Sequence, residues 1–245
     1  MSNVAVILGA GNGTRMKCEQ SKLLLKIKGK TVIERSVEAF LNISDIDEVI
    51  VVARQQDIDK FISLFPDERV SFAIGGDTRQ QSVYNAIQTI DDAELIAIHD
   101  GARPLVKAED IENTIRQAKE HKAAAVGVPV KDTIKIIDKD SFVVETPERS
   151  SLFAVQTPQI FDFKLYSEIL EKAVSDGKDF TDDCQLAEYS GVKVKMVEGS
   201  YSNIKITTPD DIPVAESLLE KEEAKICVLV TDMMYTVWSR TASLS

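Results

Sequence analysis

The chain has 245 residues, 40 of them Asp or Glu against 29 Lys or Arg, for a net charge of −11 with 44% hydrophobic and 28% charged side chains. That is the make-up of a globular protein long enough to bury a full core, and its acidity excludes nucleic acid as the main partner, since a phosphate backbone wants a basic surface. No apolar run nears the roughly 18 residues of a membrane helix, and Met1-Ser2-Asn3-Val4 opens no secretory signal, so a cytoplasmic protein without membrane contact is expected.

The first predicted element is a buried strand, Asn3–Leu8, running into Gly9-Ala10-Gly11-Asn12-Gly13-Thr14-Arg15. Backbone without Cβ atoms can bring its N–H groups close to phosphate oxygens. Arg15 and Lys22, just beyond the turn, add a planar clamp and a compact point charge. A nucleoside triphosphate is the ligand this pattern points to. A dinucleotide is disfavoured, because Thr14 stands where a third glycine belongs and Ala53-Arg54 where an acid would end the second strand. Gly29-Lys30-Thr31 ends no Walker loop, because Leu24 occupies its first glycine position.

Thr31-Val32-Ile33-Glu34 is a capping box that opens a helix with Ile33, Val37, Phe40 and Leu41 on one face. Strands Glu48–Ala53, Val70–Ile74, Leu95–Ile98 and Ala123–Val128 then alternate with helices Asp57–Phe65, Arg79–Ile90 and Ala108–His121. This alternation predicts a three-layer α/β fold around a mostly parallel sheet, with the ligand at the carboxyl ends of its strands. Gly75-Gly76, followed by polar residues that open a helix, is a second place for backbone N–H groups to face a ligand. Asp100, just past a buried strand, is a candidate Mg²⁺ carboxylate, while His99 reads as a packed strand residue.

After Lys131 the pattern changes. Thr133–Asp138 and Ser141–Glu145 alternate about Lys139-Asp140, predicting a projecting β-arm over about residues 134–153. Gln156-Thr157-Pro158-Gln159 reads as loop chemistry. Helices follow at Phe163–Ser175 and Asp182–Tyr189, then a strand pair at Lys193–Val197 and Asn203–Ile206. A last helix starts at Thr208-Pro209-Asp210-Asp211 with a cap and a proline in its first turn. Residues 1–223 are expected to form one domain, and the tail, 224–245, receives no role. Cys18, Cys184 and Cys227 are scattered, and His99 and His121 lie apart, so any metal site would rest on carboxylates and phosphates.

Taken in order, these segments resemble the 2-C-methyl-D-erythritol 4-phosphate cytidylyltransferase family of the non-mevalonate isoprenoid pathway, from about Val4 to about Leu219. The resemblance rests on Ala10-Gly11-x-Gly13-x-Arg15-Met16 with Lys22, Gly75-Gly76-x-x-Arg79-x-x-Ser82, Asp100-x-Ala102-Arg103-Pro104, Asp132-Thr133, Gln156-Thr157-Pro158-Gln159, Thr181-Asp182 and Asn203-Ile204-Lys205. It implies a Rossmann-like fold of glycosyltransferase-A type and a homodimer interlocked through the β-arm. It implies that Arg15 and Lys22 stabilise the attacked α-phosphorus of CTP, and that Ala10, Gly11, Gly13, Gly76, Ser82, Asp100 and Ala102 surround the nucleotide. Asp100 would act with Mg²⁺. Arg103, Thr133, Thr157, Thr181 and Lys205 would face a sugar-alcohol phosphate, and Arg149 would reach that substrate from the other copy's arm. Ribitol-5-phosphate cytidylyltransferases share the nucleotide half, and a nucleotide-binding module that has lost catalysis is a second alternative. The chain departs from the family pattern at Gly9 (usually Ala), Ser21 (usually Pro) and Leu23 (commonly Gln). Losing that proline should loosen the loop carrying Lys22 by roughly 0.4–1 kcal/mol.

Overall fold

The computed structural model describes residues 2–11 and 21–222. Gly13, Arg15 and the tail strand expected at Ile226–Val230 lie outside the described residues. In chain order come β1 (Asn3–Leu8), a 3₁₀ turn (Lys22–Leu24), β2 (Lys26–Ile27), β3 (Lys30–Thr31), α1 (Val32–Leu41), β4 (Glu48–Ala53), α2 (Ile58–Leu64), β5 (Val70–Ile74), α3 (Arg79–Ile87), β6 (Leu95–Asp100), α4 (Ala108–His121) and β7 (Ala123–Pro129). The arm strands β8 (Ile136–Ile137) and β9 (Val143–Glu145) follow, then β10 (Phe153–Asp162), α5 (Phe163–Ser175), α6 (Asp183–Tyr189), β11 (Lys195–Glu198) and α7 (211–222). No described helix is long and apolar enough to cross a membrane.

Seven of the described strands form one sheet in the order β11-β7-β10-β6-β1-β4-β5. Every neighbouring pair is parallel except those made by β10, which runs against both β6 and β7. Side chains alternate between two apolar layers. Ala5, Ile7, Val49 and Val51 pack under Val37 and Phe40 of α1 and Ile111 and Ile115 of α4. Val4, Val6, Ile50 and Val52 pack against Val83 and Ala86 of α3 and Tyr166 and Leu170 of α5. Burial on both faces is why these strands read as unbroken apolar runs. The capping box forms as expected: Thr31 Oγ1 accepts from Glu34 N, and a Glu34 carboxylate oxygen accepts from Thr31 N at 2.7 Å.

Two expectations are corrected. Gln156–Gln159 is no loop but the middle of β10, where the ladder shifts register between Val155 and Gln159. That irregularity is what lets Pro158, which has no N–H to donate, sit inside the sheet. Asn203–Ile206 is not a strand. Its backbone and side chains bond to other elements instead: Asn203 Nδ2 donates to Gln156 Oε1 and Thr157 O at 3.0 Å each, and Ile206 N donates to Ala102 O at 2.8 Å. β11, the strand expected to pair with it, lies parallel to β7 instead. Gly29, with Lys28, makes a tight positive-φ turn between β2 and β3.

Candidate active site

Parallel strands β1 and β6 end side by side, with Leu8 paired to Asp100. Their carboxyl ends open a cleft of about 290 Å³ whose lining includes Ala10, Gly11, Lys22, Gly76, Arg79, Ser82, Asp100, Ala102 and Lys205. The chain can turn here only because several positions lack a side chain. A Cβ at Gly75 would lie 2.2 Å from the Ala10 Cβ, and one at Gly76 would lie 2.2 Å from Gln81 Cγ. The Gly76 N–H donates to Ser82 Oγ at 3.1 Å, and that hydroxyl donates to Thr78 O at 2.9 Å, so Ser82 fixes the loop from inside its own helix. Two of the departures from the family pattern pack against one another: a Cβ at Gly9 would come within 3.3 Å of Leu23 Cδ1, and Leu23 is buried in the core.

Asp100 is the electrostatic centre. Lys205 Nζ lies 2.7 Å from its Oδ2, Arg103 Nε 3.7 Å from the same oxygen, and Arg79 Nε 3.8 Å from Oδ1. Burial alone would raise the carboxyl's pKa, but Lys205, Arg79 and Arg103 together hold it down to about 2. Lys22 reaches the same cleft from the other end of the chain and donates through Nζ to Ile206 O at 2.8 Å, next to Lys205. A chain of net charge −11 thus gathers four cations, Lys22, Arg79, Arg103 and Lys205, at one strand edge.

Behind Asp100 lies a buried relay. Asp100 N donates to Thr157 Oγ1 at 3.0 Å, Thr157 Oγ1 is 3.0 Å from His99 Nδ1, and His99 Nε2 is 3.1 Å from Arg103 O. Since a carbonyl can only accept, Nε2 carries the proton and Nδ1 accepts from the threonine hydroxyl. Burial lowers the pKa of His99 to about 4, which keeps the ring neutral. His99 is therefore a packed strand residue, as its sequence position suggested. Thr157 is buried too, with its hydroxyl directed at the backbone of Asp100.

Arg79, quoted in the sequence motif without a role, contacts Asp183 through Nη2 at 2.6 Å, and Tyr166 Oη donates to the same carboxylate. Burial disfavours its charge, but Asp183 and then Asp100 outweigh that and raise its pKa. The Arg79–Asp183 pair spans more than a hundred positions, and no local spacing announces it. Arg103 donates through Nη1 to Asn203 O at 2.7 Å. Thr133 and Arg149 sit exposed on the arm, Arg149 donating to Lys131 O at 3.2 Å, and Thr181 lies exposed ahead of α6. None of these three is among the described residues that line the cleft.

The arrangement is suited to holding phosphates. It offers cations, backbone that a ligand can approach closely, and one ionised carboxylate, with no described cluster of three His, Cys, Asp or Glu side chains for a self-contained metal site. Comparison with known proteins agrees. Residues 3–221 match the family model "IspD: 2-C-methyl-D-erythritol 4-phosphate cytidylyltransferase". A 2-C-methyl-D-erythritol 4-phosphate cytidylyltransferase of Caldanaerobacter subterraneus subsp. tengcongensis is 48% identical over 230 residues, covering 90% of this chain and 100% of that protein. One from Clostridium novyi is 40% identical, covering 89% and 96%. Among solved structures, the 4-diphosphocytidyl-2C-methyl-D-erythritol synthase of Anaerococcus prevotii superposes with a TM-score of 0.81 at 36% identity, covering 89% of this chain and 96% of that one. A match along nearly the whole length, over a sheet whose edge carries the motif residues, means that the chain belongs to the 2-C-methyl-D-erythritol 4-phosphate cytidylyltransferase family.

Proposed function

We propose that this cleft transfers CMP from CTP to 2-C-methyl-D-erythritol 4-phosphate, giving 4-diphosphocytidyl-2-C-methyl-D-erythritol and pyrophosphate for isoprenoid synthesis. The observation that carries the reading is the convergence of Lys22, Lys205, Arg79 and Arg103 on the strand edge that bears Asp100. An acceptor phosphate oxygen bonds to the α-phosphorus, and the bond to the β-phosphate oxygen breaks, with pyrophosphate leaving on the electron pair. A phosphate monoester is largely dianionic near neutral pH, so the attack needs no general base. The nearest imidazole, on His99, has both nitrogens bonded and is kept neutral. The task is to bring two polyanions together and to neutralise charge gathering on the transferred group, which is work for fixed cations.

Lys22, Lys205 and Arg79 are described cations that line the cleft, and Arg15 is read as acting with Lys22 on the α-phosphorus. The nucleotide lies along Ala10, Gly11, Gly13, Gly76, Ser82 and Ala102. The acceptor phosphate lies toward Arg103, Thr133, Thr181 and Lys205, with Thr157 acting through the backbone of Asp100. A divalent cation, read as Mg²⁺, fits Asp100: the carboxylate stays ionised, and substrate phosphates and water would complete a hard oxygen shell. When bound, such an ion supplies further neutralisation of phosphate charge.

Two copies joined through their arms complete the site, with Arg149 of the partner subunit reaching the acceptor. The support is the arm's surface: Phe142 is 72% exposed, Val144 65% and Val143 59%, an apolar patch of the kind that marks an interface. The reaction is placed in the cytoplasm, where CTP is made. The test is to incubate the protein with CTP, Mg²⁺ and either 2-C-methyl-D-erythritol 4-phosphate or ribitol 5-phosphate, and to measure pyrophosphate. Release with the first alone is the expected result. Release only with ribitol 5-phosphate, or none with either, overturns the reading.

A further inference from the structure

The first turn of α3 grips a distant stretch of chain at three points. Thr78 Oγ1 donates to Asp179 Oδ1 at 2.9 Å while accepting from Gln81 N as the helix cap. Arg79 contacts Asp183 at 2.6 Å. Between them Gln80, only 6% exposed, spans two backbone groups: its Nε2 donates to Lys178 O at 2.7 Å and its Oε1 accepts from Phe180 N at 3.0 Å. Residues 178–182 belong to no helix or strand, so this side chain stands where a sheet neighbour would. A carboxamide offers both a donor and an acceptor without a charge, and Asn would be one methylene short.

Thr78 and Arg79 also line the cleft, so the gripped strip borders it, and Thr181 lies within that strip. We infer that Gln80 is a positioning residue for the acceptor: it locks residues 178–183 to the helix that follows the Gly75-Gly76 loop, and so sets Thr181 relative to the nucleotide. The inference rests on the functional reading above. It separates Gln80 from a residue that merely stabilises the fold, because the damage should fall on one substrate and spare the other.

Gln80→Met keeps the length and removes both bonds. Gln80→Glu keeps acceptance from Phe180 N but turns a second acceptor toward Lys178 O. In each, the KM for 2-C-methyl-D-erythritol 4-phosphate should rise about tenfold, the effect of losing one well-placed contact, while the Kd for CTP, measured by calorimetry, stays within about twofold. Asp179→Ala, at an exposed position, loosens the strip from outside the core and should raise the same KM by about threefold with an unchanged thermal midpoint. It serves should both Gln80 variants fail to fold. An acceptor KM within twofold of wild type in a folded variant overturns the inference, as does a CTP affinity that weakens by the same factor as the acceptor KM. The wild type is assayed first. If it releases no pyrophosphate, the functional reading falls and takes this inference with it, whereas an active wild type with indifferent variants refutes the inference alone.

Discussion

Two regions of this molecule handle their side chains in opposite ways. At the sheet edge the site's polar side chains find partners within their own chain, though Arg103 Nε and Asn203 Oδ1 have no hydrogen bond among the described residues: Asp100 has Lys205, Thr157 has His99, and Arg103 has the Asn203 carbonyl. On the arm the large apolar side chains of Ile137, Phe142, Val143 and Val144 face outward, and among the described residues β8 and β9 pair only with each other. Buried polar groups must be satisfied where they are, so the cleft is organised before any ligand arrives. Exposed apolar groups gain only when something covers them. The cleft is thus charge-compensated within one chain, whereas the arm leaves its apolar side chains exposed.

That contrast can be broken at its strongest point first. Lys205→Ala and Lys22→Ala should each lower turnover about a hundredfold or more, as for a lost transition-state donor, with a thermal midpoint near wild type. Near-normal kcat in either would contradict the roles given to them. The arm is tested by mixing. If Arg149 of the partner subunit serves each cleft, Arg149→Ala and Lys22→Ala proteins are each inactive alone. Unfolded and refolded together, half the dimers would be mixed, each with one intact site of two, restoring about a quarter of wild-type turnover. Recovery of nothing would show both residues acting within one chain. Phe142→Asp should shift the sedimentation of the protein toward the monomer, and a variant that stays dimeric would move the interface elsewhere.

The smallest expected effect lies behind the cleft. His99 is held neutral with a pKa of about 4 against an ordinary 6.5, so the unfolded chain takes up its proton first as the pH falls. Its contribution to stability is complete above about pH 6.5 and is lost progressively down to about pH 4, for a total of roughly 3 kcal/mol. Urea midpoints measured across that range, without divalent cation, should fall more steeply for wild type than for His99→Asn. Equal slopes would mean that the ring titrates normally. Asp100, depressed to about 2, adds its own loss only below its ordinary value of 3.8.

Much of the fold was legible because local signals and burial agreed. The runs at Asn3–Leu8 and Glu48–Ala53 are strands with those same bounds, since both of their faces are covered, and the edge run Val70–Ile74 keeps its bounds though only half-buried. Asp100 stood out because an acid follows a buried strand. β10 was not legible, because Pro158 breaks the local pattern and only the neighbouring strands hold that segment in the sheet. Arg79 with Asp183, and Gln80 with Lys178 and Phe180, were hidden for another reason: their spacing reflects how the sheet is wound, not any helical or strand period. Arg15 lies outside the described residues, and the described cations of the cleft gather around Asp100.

The reversed direction of β10 has a mechanical meaning. A strand running with its neighbours would have begun at the far end of the sheet, remote from the acid. Running against them, its first residue, Phe153, lies on the arm's side of the sheet, and four positions later its threonine holds the peptide of Asp100. One ten-residue strand, with a register shift at its middle, therefore links the end of the arm to the charged centre. The position of the arm's base and that of the acid are thus set by the same strand.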